Sequence, residues 1–460
     1  MKQKLLKIYF KFFGFLAKKY LKKQQAIVIG ITGSVGKTTT RMIIYDILKD
    51  NLKDKKIYTS NKNFNGELGL SFSILEIDKY TPSFFGVIKV IFLSLKRGFF
   101  TKKSYDVILL EYGIDHIGEM DFLLSITNPD FSIITKIDNV HSLQMGGKDN
   151  IAFEKYKLSK NTKKVSYLNI ADEYFSKYFD EIVQNKVLYT TNTLLNDKLK
   201  TGLKIGKNNE TYSTIFGENI KFYKDENNLP KTSFEFYFEN KYVFLINSNS
   251  LQEENIGYMS IGIHLLNHLY HSFYNKSFFE DIDILDINLE LQPSRFSIFP
   301  GINTSILLDS SYNGAPESQK QVLDNFINLK NNLYSDYEII LCLGEMRELG
   351  DYTKMEHEKL AKNIKNFENI FLVGKSMQEF VIPLLPQAKF FRNSKILGQN
   401  LKDFLQKNND KKYLILFKGS QNTIFLEEAV KEVLGKVDDK NFLCRQEKYW
   451  IEIKNNFFNK

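Results

Sequence analysis

A glycine-rich turn, Gly30-Ile31-Thr32-Gly33-Ser34-Val35-Gly36-Lys37-Thr38-Thr39, stands near the start of the chain. A short β-branched run, Ile27 to Ile31, precedes it and a helical stretch, Thr38 to Lys49, follows. Strand, turn and helix in that order bring backbone N–H groups and a helix N-terminus to one point, the construction that holds phosphate. Gly33, Ser34, Val35, Gly36 and Thr39 are therefore expected to contact a nucleotide, with Lys37 reaching its terminal phosphates and the Thr38 hydroxyl binding Mg²⁺. The strict Walker spacing would place a glycine at 31, where this chain has Ile31 and carries Gly30 one residue earlier.

The rest of the chain fits a protein built around such a turn. Its 460 residues predict two or three domains. Hydrophobic residues at 43% and charged residues at 25% exclude wholesale disorder. Two cysteines, Cys342 and Cys444, give no material for a disulfide framework or a zinc ribbon. The net charge of +9 is spread along the chain and does not call for nucleic acid. Buried strands are expected at Val107 to Leu110 and Phe131 to Ile134, antiparallel hairpins between about Val187 and Asn249, and a second strand series from Ser305 to Phe417. The expected fold is α/β: a P-loop-type central domain with a mostly parallel sheet over 26–297, then a Rossmann-like α/β domain over 298–460. Residues 1–25 read as a basic amphipathic helix, packed on its own domain or lying on a membrane surface. Phe84 to Phe100 reads as a packed helix, because Lys89, Lys96 and Arg97 interrupt it.

The Gly-x-x-Gly-x-x-Gly-Lys-Thr form resembles the ATP loop of the Mur ligase family, which joins amino acids or peptides to the peptidoglycan precursor. Asn63-Phe64-Asn65-Gly66-Glu67-Leu68-Gly69, Glu111-Tyr112-Gly113 and Gly118-Glu119-Met120 are similar to segments of the branch that adds D-alanyl-D-alanine. So are Asp309-Ser310-Ser311-Tyr312-Asn313, Gly344-Glu345-Met346-Arg347 with His357, and Lys418-Gly419-Ser420, all in family order. The resemblance covers roughly residues 26 to 430. It implies an ATP-dependent ligase that works through an acyl phosphate, in the cytoplasm or at the inner face of the membrane, on a UDP-linked muramoyl peptide and a dipeptide or amino acid.

Glu111 closes an apolar strand, so its carboxylate is expected beside the phosphate loop, where ligands of α/β sheets bind. The resemblance implies two Mg²⁺ ions held by Thr38, Glu111 and His141, with a carbamylated Lys155 as a further anionic ligand; Lys157 and Lys160 leave that register open. It implies that Arg295 and Asp309 meet the nucleotide, and that Asn63, Asn65, Glu67, Tyr312, Asn313 and Lys418 meet substrate. After His141 the family's acidic group is replaced by Ser142-Leu143-Gln144, and only about 25 residues precede the nucleotide strand, where the family carries a UDP-sugar domain. Two other readings stand beside this one: a related ligase acting on a folate-type carboxylate, and a nucleotide-binding scaffold without ligase activity.

Overall fold

The computed structural model describes residues 2–460 apart from 61–65, 78–83, 139–144, 204, 206–210, 281, 291–292, 348, 421–422 and 459–460. It divides into two compact units, Met1–Lys221 with Thr232–Glu290, and Phe222–Lys231 with Leu291–Lys460.

The first unit opens with helix α1 (Lys2–Gln24) and strand β1 (Ile27–Thr32), and continues through α2 (Lys37–Asn51), β2 (Ile57–Thr59), α3 (Gly66–Ile74) and α4 (Phe84–Phe100). Strand β3 (Val107–Glu111), α5 (Glu119–Ile126), β4 (Phe131–Ile134), α6 (Lys148–Lys160), β5 (Val165–Asn169) and β6 (Asn185–Tyr189) follow. After these come β7 (Ser213–Lys224), β8 (Pro230–Phe238), β9 (Lys241–Ser248), α7 (Glu253–Tyr274) and β10 (Ile284–Ile287). The strands form one sheet in the order β10-β9-β8-β7-β6-β5-β4-β1-β3-β2. From β2 to β7 neighbours are parallel, and the complete burial of β3 and β4 suits strands covered on both sides. The hairpin region is antiparallel where β8 meets β9.

Because β1 pairs with β3 on one side and β4 on the other, the connections leaving it diverge at its C-terminal end, which is where an open α/β sheet leaves a crevice. Helix α2 leaves from that crevice and buries Ile43, Ile44, Ile47 and Leu48. A Cβ on Gly262 of α7 would lie 2.7 Å from Ile47 Cδ1, so the two helices pack closely.

Helix α1 is part of this unit rather than an appendage. Phe13, Leu16, Ala17 and Tyr20 are buried, with the Phe13 ring 5.2 Å from Phe72 of α3. Gly98 of α4 faces Leu16 so closely that a Cβ there would sit 3.0 Å from Leu16 Cδ2. The opposite faces of α1 and α4 remain exposed.

The second unit comprises β11 (Ser297–Pro300), β12 (Ile306–Ser310), α8 (Pro316–Leu333), β13 (Glu338–Gly344), α9 (Thr353–Ile364), β14 (Asn369–Val373) and β15 (Lys389–Phe391), then α10 (Ser394–Lys407), β16 (Tyr413–Lys418), α11 (Glu427–Val433) and α12 (Lys448–Phe458). Its sheet runs β11-β12-β16-β13-β14-β15, parallel except for the β11 edge. The unit takes in residues ahead of 298 because Ser294 and Ser297 bond to each other and Ser294 Oγ donates to Asp309 at 2.5 Å.

Candidate active site

The register of β1 places Ile31 opposite Glu111 of β3 and Ile133 of β4, so the turn after β1 emerges between two strand ends. Gly33 and Gly36 have φ of +150° and +88°. A Cβ at Gly33 would lie 1.9 Å from Thr135 Oγ1 and one at Gly36 2.3 Å from the Tyr258 hydroxyl, so both positions require glycine. The backbone N–H of Ser34 donates to Lys136 O at 2.7 Å and its hydroxyl to Asp138 O at 3.0 Å, which ties the turn to the segment after β4. Val35 stands exposed at the tip, and Thr39 lies half-buried in the first turn of α2.

Lys37 folds its ammonium back over the loop, donating to Gly33 O at 2.8 Å and Ser34 O at 3.2 Å. Burial pushes its pKa below the ordinary lysine value, while Glu111 and Asp115 pull the other way. A cation held over backbone carbonyls and short of compensating charge is poised to take an anionic ligand.

Glu111 is buried, and its two oxygens are divided. Oε2 accepts from Thr38 Oγ1 at 3.2 Å, and Oε1 accepts from Arg41 Nε at 2.7 Å. Arg41 is itself buried and also donates to Thr59 and to Ser60 O. Sequence reasoning missed Arg41, although Thr38 and Arg41 stand at i and i+3 on α2 and therefore share a face. A hydroxyl beside a carboxylate is a hard-oxygen donor pair suited to Mg²⁺, which takes few protein ligands and completes its shell with phosphate and water. Among the described residues no group of three or more His, Cys, Asp or Glu side chains gathers to hold a metal.

Of the four lysines on α6, Lys155 is the buried one. Lys157 instead pairs with Asp121 at 2.8 Å and Glu154 at 2.6 Å, and Lys160 pairs with Glu181. Burial, reinforced by the neighbouring Lys37, brings the Lys155 pKa down to about 7, while Asp115 and Glu119 oppose the shift. Lys37 and Lys155 thus act on one another beside the loop. His141, Asn63 and Asn65 lie outside the described residues, and of Glu67 only its place in α3 is described.

In the second unit Arg295 stacks its guanidinium 4.6 Å from the Tyr312 ring centroid. Asp309 is wholly buried at the end of β12, accepting from Ser294 Oγ and, at 3.0 Å, from Ser311 N; burial raises its pKa. In this arrangement the carboxylate fixes the loop that carries Arg295 and Tyr312. Lys418, at the end of β16, donates to Asn313 O, and burial brings its pKa down to about 8. Asn313 is exposed and accepts from Gly314 N at 2.7 Å through Oδ1. His357 Nε2 accepts from Met346 N at 3.1 Å and its Nδ1 faces Thr353 O at 2.7 Å, so it supports the turn after β13 as a neutral ring.

Arg445 lies beyond every motif quoted above. Its guanidinium pairs with both oxygens of Glu427, at 2.8 and 2.7 Å, and donates to Ser311 O at 3.1 Å. This buried pair therefore holds the Ser311–Tyr312 turn in place. Arg445→Met is expected to lower the stability of the second unit by about 3 kcal/mol, the low end for breaking a buried pair, because Lys454 remains 3.5 Å from Glu427. Urea unfolding of the variant checks it, with no change in midpoint as the contrary result.

Residues 31–232 match the Mur ligase middle domain. The first unit thus carries most of a stretch similar to the Mur ligase middle domain. Across 431 residues it is 25% identical to the UDP-N-acetylmuramoyl-tripeptide--D-alanyl-D-alanine ligase of Bacillus subtilis, covering 91% of this chain and 78% of that protein. Its fold is also that of MurF from Acinetobacter baumannii, with a TM-score of 0.61, 17% identity and coverage of 92% of this chain and 80% of that one. MurF ligase from Thermotoga maritima in complex with ADP gives a TM-score of 0.60 at 16% identity, covering 94% and 84%. The α/β architecture expected from the sequence is thus the Mur ligase fold.

Proposed function

We propose that this chain is an ATP-dependent ligase that adds D-alanyl-D-alanine to a UDP-N-acetylmuramoyl-tripeptide in peptidoglycan precursor synthesis. The observation that carries this reading is the phosphate loop with Lys37, Thr38, Glu111 and Lys155 gathered at it, in a chain similar along most of its length to ligases of that name.

The reaction follows from the charges to be moved. The tripeptide's terminal carboxylate attacks the γ-phosphate of ATP, giving an acyl phosphate and ADP; the dipeptide amine then attacks the acyl carbon, forming the amide and releasing phosphate. The amides of Gly36 to Thr38 and the Lys37 ammonium would hold the phosphates and balance negative charge as the phosphoryl group shifts. Glu111 and the Thr38 hydroxyl would hold Mg²⁺, with Arg41 fixing the carboxylate. That ion would neutralise phosphate charge. A second ion would rest on His141 and a carbamate of Lys155. In the second unit, Arg295 and Tyr312 would meet the nucleotide, with Asp309 and Arg445 holding their loop, and Asn313 and Lys418 would meet substrate.

The Lys155 environment supports carbamylation, because only a neutral amine reacts with CO₂ and a pKa of about 7 leaves much of it neutral near pH 7. Activity is therefore expected to fall when bicarbonate is stripped from the buffer, and Lys155→Ala is expected to regain part of its lost rate with added acetate. Indifference to bicarbonate together with a silent Lys155→Ala removes the carbamate.

This reading puts the enzyme in the cytoplasm, in peripheral contact with the inner face of the membrane through residues 1–25. ADP release measured with UDP-linked tripeptide alone, with D-alanyl-D-alanine alone, with both, and with folate plus glutamate tests it. Turnover that requires both cell-wall substrates is expected; turnover with folate and glutamate, or none with any pair, overturns it.

A further inference from the structure

Helices α1 and α4 each bury one face in the first unit and leave another to solvent. On α1 the exposed face carries Ile8, Lys11, Phe15, Lys19 and Lys22. At about 3.6 residues per turn these positions fall within about a third of the helix circumference. On α4 the exposed face carries Ile88, Lys89, Phe92, Lys96, Phe99 and Phe100, whose spacing gives a stripe of the same width. Phe92 is 67% exposed, Phe100 81% and Phe15 53%, far from the usual fate of phenylalanine. The two stripes touch: the Lys19 ammonium lies 5.1 Å from the Phe15 ring centroid and 4.2 Å from that of Phe99, and it joins both helices into one surface.

Charge decides what can cover that surface. The chain has no acidic residue before Asp46 and none between Asp78 and Asp106, so both helices carry positive charge alone. Aromatic rings among lysines on one face suit a boundary with two layers, one apolar for the rings and one anionic for the ammonium groups, with the lysine stems extending from the first to the second. A second copy of this chain would bring an equally basic face against it. Among the described residues no helix is long and apolar enough to cross a membrane.

We infer that α1 and α4 together form a platform that lies on an anionic phospholipid surface, with Phe92, Phe99, Phe100 and Phe15 entering the headgroup region. This extends the membrane contact proposed above from residues 1–25 to a composite face, and it rests on that reading. Deleting α1 is a poor test, because Phe13, Leu16 and Tyr20 belong to the core. The full chain is instead sedimented with phosphatidylglycerol/phosphatidylcholine vesicles and with pure phosphatidylcholine vesicles, at low and high salt. Binding to the anionic vesicles is expected at low salt, with release at high salt as screening grows. Phe92→Ser with Phe100→Ser, and separately Lys89→Glu with Lys96→Glu, are each expected to weaken binding at least tenfold while ATP turnover stays at wild-type level. Equal binding to both vesicle types, or binding unchanged in both double variants, overturns the platform. So does a dimer in lipid-free solution that the same variants dissociate, which would give the face to a second copy. ATP turnover in the same samples reports on the ligase assignment separately.

Discussion

Lys37→Ala is expected to reduce ATP-dependent ligation by about 10² to 10³ fold while leaving the fold intact. The size follows from its position: Lys37 is the loop ammonium, held by hydrogen bonds to Gly33 O and Ser34 O, where the terminal phosphates of a bound nucleotide would lie. The intact fold follows from the same bonds. They involve loop carbonyls alone, and burial already lowers the Lys37 pKa, so its charge gains little from the surrounding protein. Removing it therefore costs the folded state little. Near-normal ligation, or a large drop in melting temperature, contradicts this account of the loop.

Glu111→Ala is expected to affect both activity and stability. Activity falls because the carboxylate beside Thr38 is removed, and the remaining rate should require more Mg²⁺. Stability falls because Arg41, buried by its neighbours, loses the acceptor 2.7 Å from Nε, and breaking such a buried pair commonly costs about 3 to 5 kcal/mol. The two effects can be separated by adding Arg41→Leu. The double variant should recover much of the stability and none of the activity, since an apolar residue no longer needs the partner. Activity that returns with stability would show Glu111 to be a structural residue.

The difference between these two residues also marks what was legible in the sequence. The phosphate loop, the strand ending in Glu111 and the alternation of strands and helices were readable because each rests on local spacing. The register of Lys155 was readable in principle, since Ile151, Ala152, Lys155 and Leu158 recur at helical spacing and all are buried, whereas Lys157 and Lys160 lie off that stripe. Arg41 was passed over because a charged residue on a helix is ordinarily solvated, and only the tertiary pairing with Glu111 reveals its burial. Arg445 and Glu427 lie 18 positions apart, with no periodicity to link them, so their pairing could come only from the folded unit. The apolar residues of α4 indicated a packed helix; half of that was found, and the exposed stripe depended on which of its faces α1 covers.

The most direct test of the central claim is mass spectrometry of the product after the full chain is incubated with ATP, Mg²⁺, UDP-N-acetylmuramoyl-tripeptide and D-alanyl-D-alanine. The account predicts the UDP-linked pentapeptide, formed one for one with ADP and absent when the dipeptide is left out. ADP release without any new amide, or equal release with and without the dipeptide, would contradict it.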